Sequence, residues 1–166
     1  RLQPGFVVVI AAGVVALTGG LQGQVPESGR GHSAQDWPLV GGDWSSSRYS
    51  TLTDITTETV DRLGGAWVTS LEGGAASRAT PVVKDGVLYL TAGANIFAID
   101  AGTGEVVSSV EVGARPWGLA LTADGRYLYT ANGPSNDVSV VDTDTLTVIA
   151  TIPAGERPWG VAIVGG

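Results

Sequence analysis

A tetrapeptide that occurs twice sets the strongest constraint on the fold of this chain. Arg-Pro-Trp-Gly stands at residues 115–118 and again at residues 157–160, 42 positions later. The dipeptide Asp85-Gly86 likewise has a counterpart in Asp124-Gly125, 39 positions later. A repeat of about 40–45 residues with four strands in each unit is typical of β-propeller blades. The tetrapeptide therefore marks the entry into each new unit.

Alternation of apolar and polar residues between Gly- and Asp-rich turns predicts four strands in each unit. The predicted strands lie near Pro81–Val83, Val87–Ala92, Ile96–Asp100 and Glu105–Val112, then near Leu119–Leu121, Tyr127–Ala131, Val138–Asp142 and Thr147–Ile152. The predicted fold class is mostly β: an incomplete, propeller-like stack of about two four-stranded blades. The first strand of a third blade follows this stack, and an N-terminal membrane helix precedes it.

The membrane helix is predicted from an uncharged stretch at residues 5–22. A spanning helix needs about 20 apolar residues, whereas a signal peptide needs about 7–15 and a small-residue cleavage site. No Ala-x-Ala follows the apolar centre, which favours a retained anchor over a cleaved signal peptide or a buried core helix. Its apolar side chains are Phe6, Val7, Val8, Val9, Ile10, Val14, Val15 and Leu17. With Arg1 on the cytoplasmic side, this anchor predicts a single-pass inner-membrane protein with a periplasmic domain.

The rest of the chain divides by composition. Residues 1–21 form the predicted anchor, and the polar, Gly-rich residues 22–35 form a linker. Residues 36–78 are predicted to contain a helix over Thr57–Leu63, capped by Thr56, and a strand over Trp67–Leu71. Residues 79–166 hold the two repeats and the first strand of a third.

Composition excludes several functions. The net charge is -7 and the nine basic residues are scattered singly, which argues against nucleic-acid binding. Cysteine is absent, and His32, the one histidine, lies in the polar linker, so a zinc site and a Ser-His-Asp triad are not expected. Asp142-Thr143-Asp144 resembles half of a calcium loop, but without the further ligands it is interpreted as a turn. No catalytic residue, metal or cofactor is predicted.

The tryptophans carry the main functional hypothesis. They pack between blades or, alternatively, form a binding face, because tryptophan and arginine are favoured anchors at protein interfaces. The candidate contact residues are Arg115, Trp117, Arg157, Trp159, Trp37 and Trp44.

Two parts of the chain resemble known families. Residues 112–163, with "GRYLYTAN" and "NDVSVVDTDTLTVIATIPAG", resemble the YVTN-type β-propeller repeat. Residues 36–105, with "DWPLVGGDWSSSRYSTLTDIT" and "IFAIDAGTGE", look like the N-terminal part of pyrroloquinoline-quinone-dependent alcohol dehydrogenases. That resemblance implies a propeller fold and a periplasmic location, and in that family a quinone and a calcium ion. The adjacent cysteines and catalytic aspartate of that family have no counterpart here, so no catalytic residue is carried over.

These observations predict a non-catalytic, membrane-anchored accessory or scaffolding subunit of a bacterial membrane complex, such as a respiratory or photosynthetic electron-transfer assembly. Two blades and one strand cannot close a propeller, and open blade faces invite pairing, so the expected partners are other protein subunits and the lipid bilayer. The alternatives are a fragment of a pyrroloquinoline-quinone-dependent dehydrogenase, and a module that recognises a ligand or a cell surface.

Overall fold

The computed structural model describes residues 7–10, 36–42, 46–75 and 79–164. Ten strands and one short 3₁₀ helix lie within these residues. In chain order they are β1 Val7–Ile10, the 3₁₀ helix Val60–Arg62, β2 Val82–Lys84, β3 Val87–Ala92, β4 Asn95–Asp100, β5 Val106–Glu111, β6 Pro116–Leu121, β7 Tyr127–Asn132, β8 Asp137–Asp142, β9 Thr147–Pro153 and β10 Val161–Val164.

Eight of the strands form two four-stranded antiparallel sheets with orders β2-β3-β4-β5 and β6-β7-β8-β9. Tight turns set this topology. Asp85 and Gly86 both have positive φ, +50° and +78°, which is the backbone that a two-residue hairpin turn requires. The predicted mostly-β fold with two four-stranded sheets is confirmed.

The two sheets pack face to face over an apolar core. Alternation along each strand decides which side chains enter it. Ile96 and Ala98 of β4 face the second sheet, whereas Phe97 and Ile99 face the opposite way. The buried residues of this central core are Val82, Tyr89, Ile96, Ala98, Val110, Leu119, Leu121, Leu128 and Val141.

Each sheet also has an outer apolar face. The outer face of the second sheet includes Tyr129 and Val140 and packs against Ile163 of β10. The outer face of the first sheet, built on Phe97 and Ile99, is covered by Trp67 and Leu71. The described layers follow one another in this order: the segment with Trp67 and Leu71, the two four-stranded sheets, and β10 as the first strand of a third unit.

The N-terminal helix is not found where the structure describes the segment. Val7–Ile10 form β1, which pairs antiparallel with β10. Consecutive β-branched residues lose rotamer freedom in a helix and favour strands, and β10 offers a strand edge to pair with. The remaining predicted anchor residues, Phe6, Val14, Val15 and Leu17, lie outside the described residues. No helix in the described part of the chain is long and apolar enough to cross a membrane.

The predicted helix over residues 57–63 is only the 3₁₀ turn Val60–Arg62, and it ends where Leu63 adopts an extended backbone. Its apolar side chains, Val60 and Leu63, are more than half exposed, so no packing within the described chain extends it. The strand predicted over Trp67–Leu71 forms no ladder with any described residue. Its side chains nevertheless alternate between half-buried and exposed, as in a strand.

Candidate functional site

The connection from β5 to β6 is held at one end of the sheets by side-chain hydrogen bonds. Arg115 has a φ of +50°, a left-handed backbone that is uncommon for residues other than glycine. The amide of Ala114 donates to Ser135 Oγ at 2.7 Å, which ties this connection to the β7–β8 turn. Buried Asn132 donates to Asp137 Oδ1 and Ser139 Oγ at 2.6 and 2.8 Å and braces the same turn. These bonds fix the loop that precedes Trp117.

Trp117 and Trp159 meet at this end of the sheets. Their ring centroids are 4.4 Å apart and the planes are inclined by 34°. A Cβ built on Gly133 would lie 2.6 Å from the Trp117 ring, so the indole sits directly on the backbone of the β7–β8 turn. Trp117 is half-buried, whereas Trp159 is 66% exposed. The pair therefore has one indole anchored in the fold and one presented to solvent.

Arg115 and Arg157 each lie two residues before one of these tryptophans. The guanidinium of Arg115 lies 5.3 Å from the centroid of the Trp117 ring, a cation–π distance. Arg157 repeats the positive φ, at +47°, and its amide donates to Asn136 Oδ1 at 2.9 Å. Both side chains are exposed. We name Arg115, Trp117, Arg157 and Trp159 the Trp-Arg surface.

The other two candidate contact residues are not shown to belong to this surface. Trp37 exchanges backbone hydrogen bonds with Val83, beside the β2–β3 turn, which lies at the end of the sheets opposite the Trp-Arg surface. Its ring packs on Gly42, where a Cβ would lie 2.9 Å away. Trp37 therefore lies apart from the Trp-Arg surface, and its role as a contact residue stays a prediction. Trp44 lies outside the described residues.

A polar groove of about 210 Å³ opens at that opposite end, between the turns of the two sheets. It was not foreseen from the sequence. Its charges are paired: Lys84 Nζ lies 2.9 Å from buried Asp36 Oδ2, which raises the pKa of the lysine. Arg126 Nη2 lies 3.2 Å from Asp142 Oδ2, which raises the pKa of the arginine. The lining residues are Lys84, Asp85, Val87, Tyr89, Asp124, Gly125, Arg126, Thr143 and Asp144.

Asp100 and Asp142 close equivalent turns after β4 and β8. Asp100 Oδ1 accepts the amide of Thr103 at 2.8 Å, and this bond, with that of the Thr103 hydroxyl, lowers the pKa of Asp100. Asp142 Oδ1 accepts the amides of Asp144 and Thr145, and the bond from Thr145 is the main cause of its lowered pKa. The interpretation of residues 142–144 as a turn is confirmed.

Metal-binding side chains do not converge in the described residues. No group of three or more histidines, cysteines, aspartates or glutamates in that part of the chain could hold a metal ion. His32 lies outside it. The Trp-Arg surface offers residues suited to binding a partner: a partly exposed pair of stacked indoles with the Arg115 guanidinium beside one of them.

Comparisons with known proteins converge on one family. Residues 37–150 match the family model described as "Glucose/ethanol/alcohol dehydrogenase, beta-propeller domain", abbreviated PQQ. The quinohemoprotein alcohol dehydrogenase of Comamonas testosteroni is 44% identical over 70 residues, 42% of this chain and 10% of that protein. The dehydrogenase subunit of the quinone alcohol dehydrogenase of Gluconobacter oxydans is 34% identical over 88 residues, 52% of this chain and 12% of that subunit. The chain thus spans about a tenth of the length of these curated relatives.

Solved structures agree with this match. The crystal structure of the Comamonas testosteroni enzyme has a TM-score of 0.63 at 29% identity, over 72% of this chain and 19% of that one. A europium-containing methanol dehydrogenase has a TM-score of 0.64 at 17% identity, over 75% of this chain and 24% of that one, and supports the fold alone. The family match runs to residue 150, beyond residue 105 where the predicted resemblance ended. The resemblance of residues 112–163 to the YVTN repeat stays a prediction.

Proposed function

This chain belongs to the family of glucose/ethanol/alcohol dehydrogenase β-propeller domains, and we propose that it acts as a non-catalytic propeller module that binds other protein subunits. The single observation that carries this proposal is the Trp-Arg surface. Trp159 remains 66% exposed although it stacks on Trp117 beside Arg115. Tryptophan and arginine in a rigid setting are the residues that dominate binding energy at protein interfaces.

The rigidity of the surface supports the same proposal. Association orders side chains at a cost of about 0.5–1.5 kcal/mol for each flexible one. Here the backbone bonds of Ala114 and Arg157 hold the two loops before binding. The stacked indoles restrict each other as well. A partner would therefore bind a surface whose side chains lose little further conformational entropy on binding.

A photo-crosslinker placed at Glu156 tests the proposal, because this exposed residue lies in the loop that carries Trp159. In source cells we expect the crosslinker to capture a defined protein partner, and Trp159→Ala to abolish that capture. The matched control places the crosslinker at Val107, an exposed apolar residue on β5, where no capture is expected. A chain that stays monomeric and uncrosslinked at position 156 would contradict the proposal.

The relatives support a second candidate: that the chain is part of a larger quinone-dependent alcohol dehydrogenase. The 44% identity to an enzyme of that name favours it. Within the described residues no group of three or more acidic, histidine or cysteine side chains could hold a metal ion, and no reaction step is assigned to them. An activity assay tests this candidate: the chain is mixed with pyrroloquinoline quinone, calcium and an alcohol, and reduction of a dye is followed. Turnover by the chain itself would overturn the non-catalytic proposal.

Attachment to the membrane, a periplasmic location and membership of an electron-transfer assembly remain our predictions from the sequence. The apolar run within residues 6–17 is the sequence observation behind the first of them, although Val7–Ile10 of that run pair with β10 in the structure. Extraction of membranes with alkaline carbonate tests it, since an integral anchor stays in the pellet. Release into the supernatant would contradict it.

A further inference from the structure

A buried tyrosine lies in the polar groove between the turns of the two sheets. Tyr89 lines this groove, and only 6% of its surface is exposed because its ring packs in the central core. Its hydroxyl forms no hydrogen bond with any described residue. Buried polar groups in native proteins are normally hydrogen-bonded. The Tyr89 hydroxyl is therefore available to a molecule that enters the groove.

Two carboxylates reach the groove from different sheets. Asp85 lies in the turn between β2 and β3, and Asp144 lies in the turn between β8 and β9. Burial raises the pKa of Tyr89, and the charges of Asp144 and Asp85 raise it further, which agrees with a hydroxyl that faces them. Asp85 Oδ1 lies 3.1 Å from Lys84 Nζ, and Asp144 Oδ2 lies 3.3 Å from Arg126 Nε. The second oxygen of each exposed carboxylate can therefore accept a hydrogen bond from a ligand.

The charge of the groove favours a cationic ligand. Its two basic side chains are already engaged, because Lys84 holds buried Asp36 and Arg126 holds Asp142. An anion such as phosphate would have to compete with these ion pairs. Carboxylates outnumber the two cations at and beside the groove: Asp36, Asp85, Asp124, Asp142 and Asp144. The net negative charge attracts a cation and repels an anion.

The acceptors suit an ammonium group better than a metal ion. No group of three or more acidic, histidine or cysteine side chains in the described residues could hold a metal. An ammonium carries three donors and no acceptor, which matches the hydroxyl of Tyr89 and the carboxylates of Asp85 and Asp144. The groove, at about 210 Å³, is smaller than the pockets of about 300–1,000 Å³ that enclose drug-sized ligands. Half-buried Val87 offers an apolar wall for a short alkyl chain.

We propose that this groove binds the primary ammonium group of an unbranched aliphatic amine, which donates hydrogen bonds to Asp85, Asp144 and the Tyr89 hydroxyl. Because the two carboxylates belong to different sheets, a bound amine joins the sheets at this end. A free alkyl amine and the side chain of a lysine present the same group, and the experiment below distinguishes them. The site lies at the end of the sheets opposite the Trp-Arg surface and does not depend on the proposed partner binding.

Titration of the isotope-labelled full chain with n-butylamine at neutral pH, followed by NMR, tests the proposal. We expect saturable shifts of the amides in both turns, at residues 84–87 and 142–145. Tyr89→Phe keeps the ring and should weaken binding about tenfold, because it removes a hydrogen bond to a charged group. Asp144→Asn should weaken it about threefold, since this carboxylate is exposed. The matched control, Glu111→Gln, removes an exposed carboxylate at the opposite end of the sheets and should leave the affinity unchanged.

Related probes define the chemistry and the source of the group. Butanol, which lacks the charge, and tetramethylammonium, which lacks the donors, should not displace n-butylamine. Lysine blocked at both ends is compared with n-butylamine, and the tighter of the two identifies a protein side chain or a free amine as the source. The proposal is overturned if neither gives saturable shifts, if Tyr89→Phe and Asp144→Asn bind as well as the unmodified chain, or if phosphate saturates the same amides. Trp159→Ala should leave amine binding unchanged, so a failure at the Trp-Arg surface is distinguishable.

Discussion

The indole rings of Trp117 and Trp159 lie 4.4 Å apart although the residues are 42 positions apart in the sequence. They occupy the same position in successive units, and the stacking of the units brings them together. Gly133 makes this possible because its missing side chain leaves room for the ring of Trp117. Aromatic pairs with such geometry contribute about 0.5–1.5 kcal/mol beyond the area they bury.

Gly133→Ala should therefore destabilise the protein by about 1–3 kcal/mol, because the new Cβ would overlap the Trp117 ring and force it to move. Urea unfolding followed by tryptophan fluorescence measures the change. Gly160→Ala is the matched control, since a Cβ there meets nothing within 4 Å. Equal effects of the two substitutions would show that Trp117 does not rest on Gly133.

The contact of Trp67 with Gly104 is open to a similar test. Trp67 Nε1 donates to the carbonyl of Ala101 at 2.9 Å, and a Cβ on Gly104 would lie 2.5 Å from the ring. Gly104→Ala should cost about 2–4 kcal/mol, combining about 1–2 for a left-handed alanine with the overlap. Gly86 has a similar positive φ, but a Cβ there meets no neighbour. Gly86→Ala should therefore cost only the about 1–2 kcal/mol expected for a left-handed alanine.

The measurement is again the free energy of unfolding from urea titrations of both variants. If Gly86→Ala proved as destabilising as Gly104→Ala, the docking of Trp67 would not contribute to stability.

Much of the sheet structure could be predicted because strand patterns and turns are local. The bounds of β3, Val87–Ala92, equal the predicted ones, since Asp85-Gly86 and Gly93 delimit a run of alternating residues. Trp67–Leu71 shows the limit of that logic. Its alternation correctly gave the burial pattern, but a ladder needs a neighbouring strand that the segment's own sequence does not specify.

The contacts of the site that could be predicted from the sequence are those between residues that the repeat places at equivalent positions. The 42-residue register implied that Trp117 and Trp159 would occupy equivalent positions, and the structure pairs them. Trp37 was named as a candidate contact on residue type alone, and residue type does not indicate at which end of the sheets a side chain lies. The contact between Lys84 and Asp36 joins residues 48 positions apart with no repeat to relate them. Long-range polar pairs of this kind follow from the packed fold and not from local pattern.

The contact between Lys84 and Asp36 leads to a prediction about the free energy of unfolding. Asp36 is buried, accepts the amide of Asp85 at 3.0 Å and holds Lys84 at 2.9 Å, which fastens residues 36–39 beside β2. Asp36→Asn removes the charge that the lysine meets and should cost about 1–3 kcal/mol. Asp85→Asn removes the second, mostly exposed partner of the same lysine and should cost about 0.5 kcal/mol or less.

Thermal and urea unfolding of the two variants give the comparison. Sodium chloride at 1 M should reduce the small loss of unfolding free energy in Asp85→Asn, because salt screens exposed ion pairs more than buried ones. The loss in Asp36→Asn should stay nearly unchanged. Equal losses in both variants would mean that the buried carboxylate is not the main partner of Lys84.

The turn aspartates predict how stability depends on pH. Hydrogen bonds lower the pKa of Asp100 and of Asp142 below the usual value of 3.8, with the amide of Thr103 the largest cause for the first and that of Thr145 for the second. A lowered native pKa means that the unfolded chain binds more protons in acid. The stabilisation is therefore complete above about pH 5, and it is lost as the pH falls below about 4 through the native pKa.

Asp100→Asn should reduce the slope of unfolding free energy against pH between about pH 2 and 4, because the variant takes up fewer protons on unfolding. Asp142→Asn should do the same, and the double variant should add the two effects, since the turns lie in different sheets. Urea titrations at each pH measure the slope. An unchanged acid slope in Asp100→Asn would show that its turn hydrogen bonds do not favour the ionised carboxylate in the folded protein.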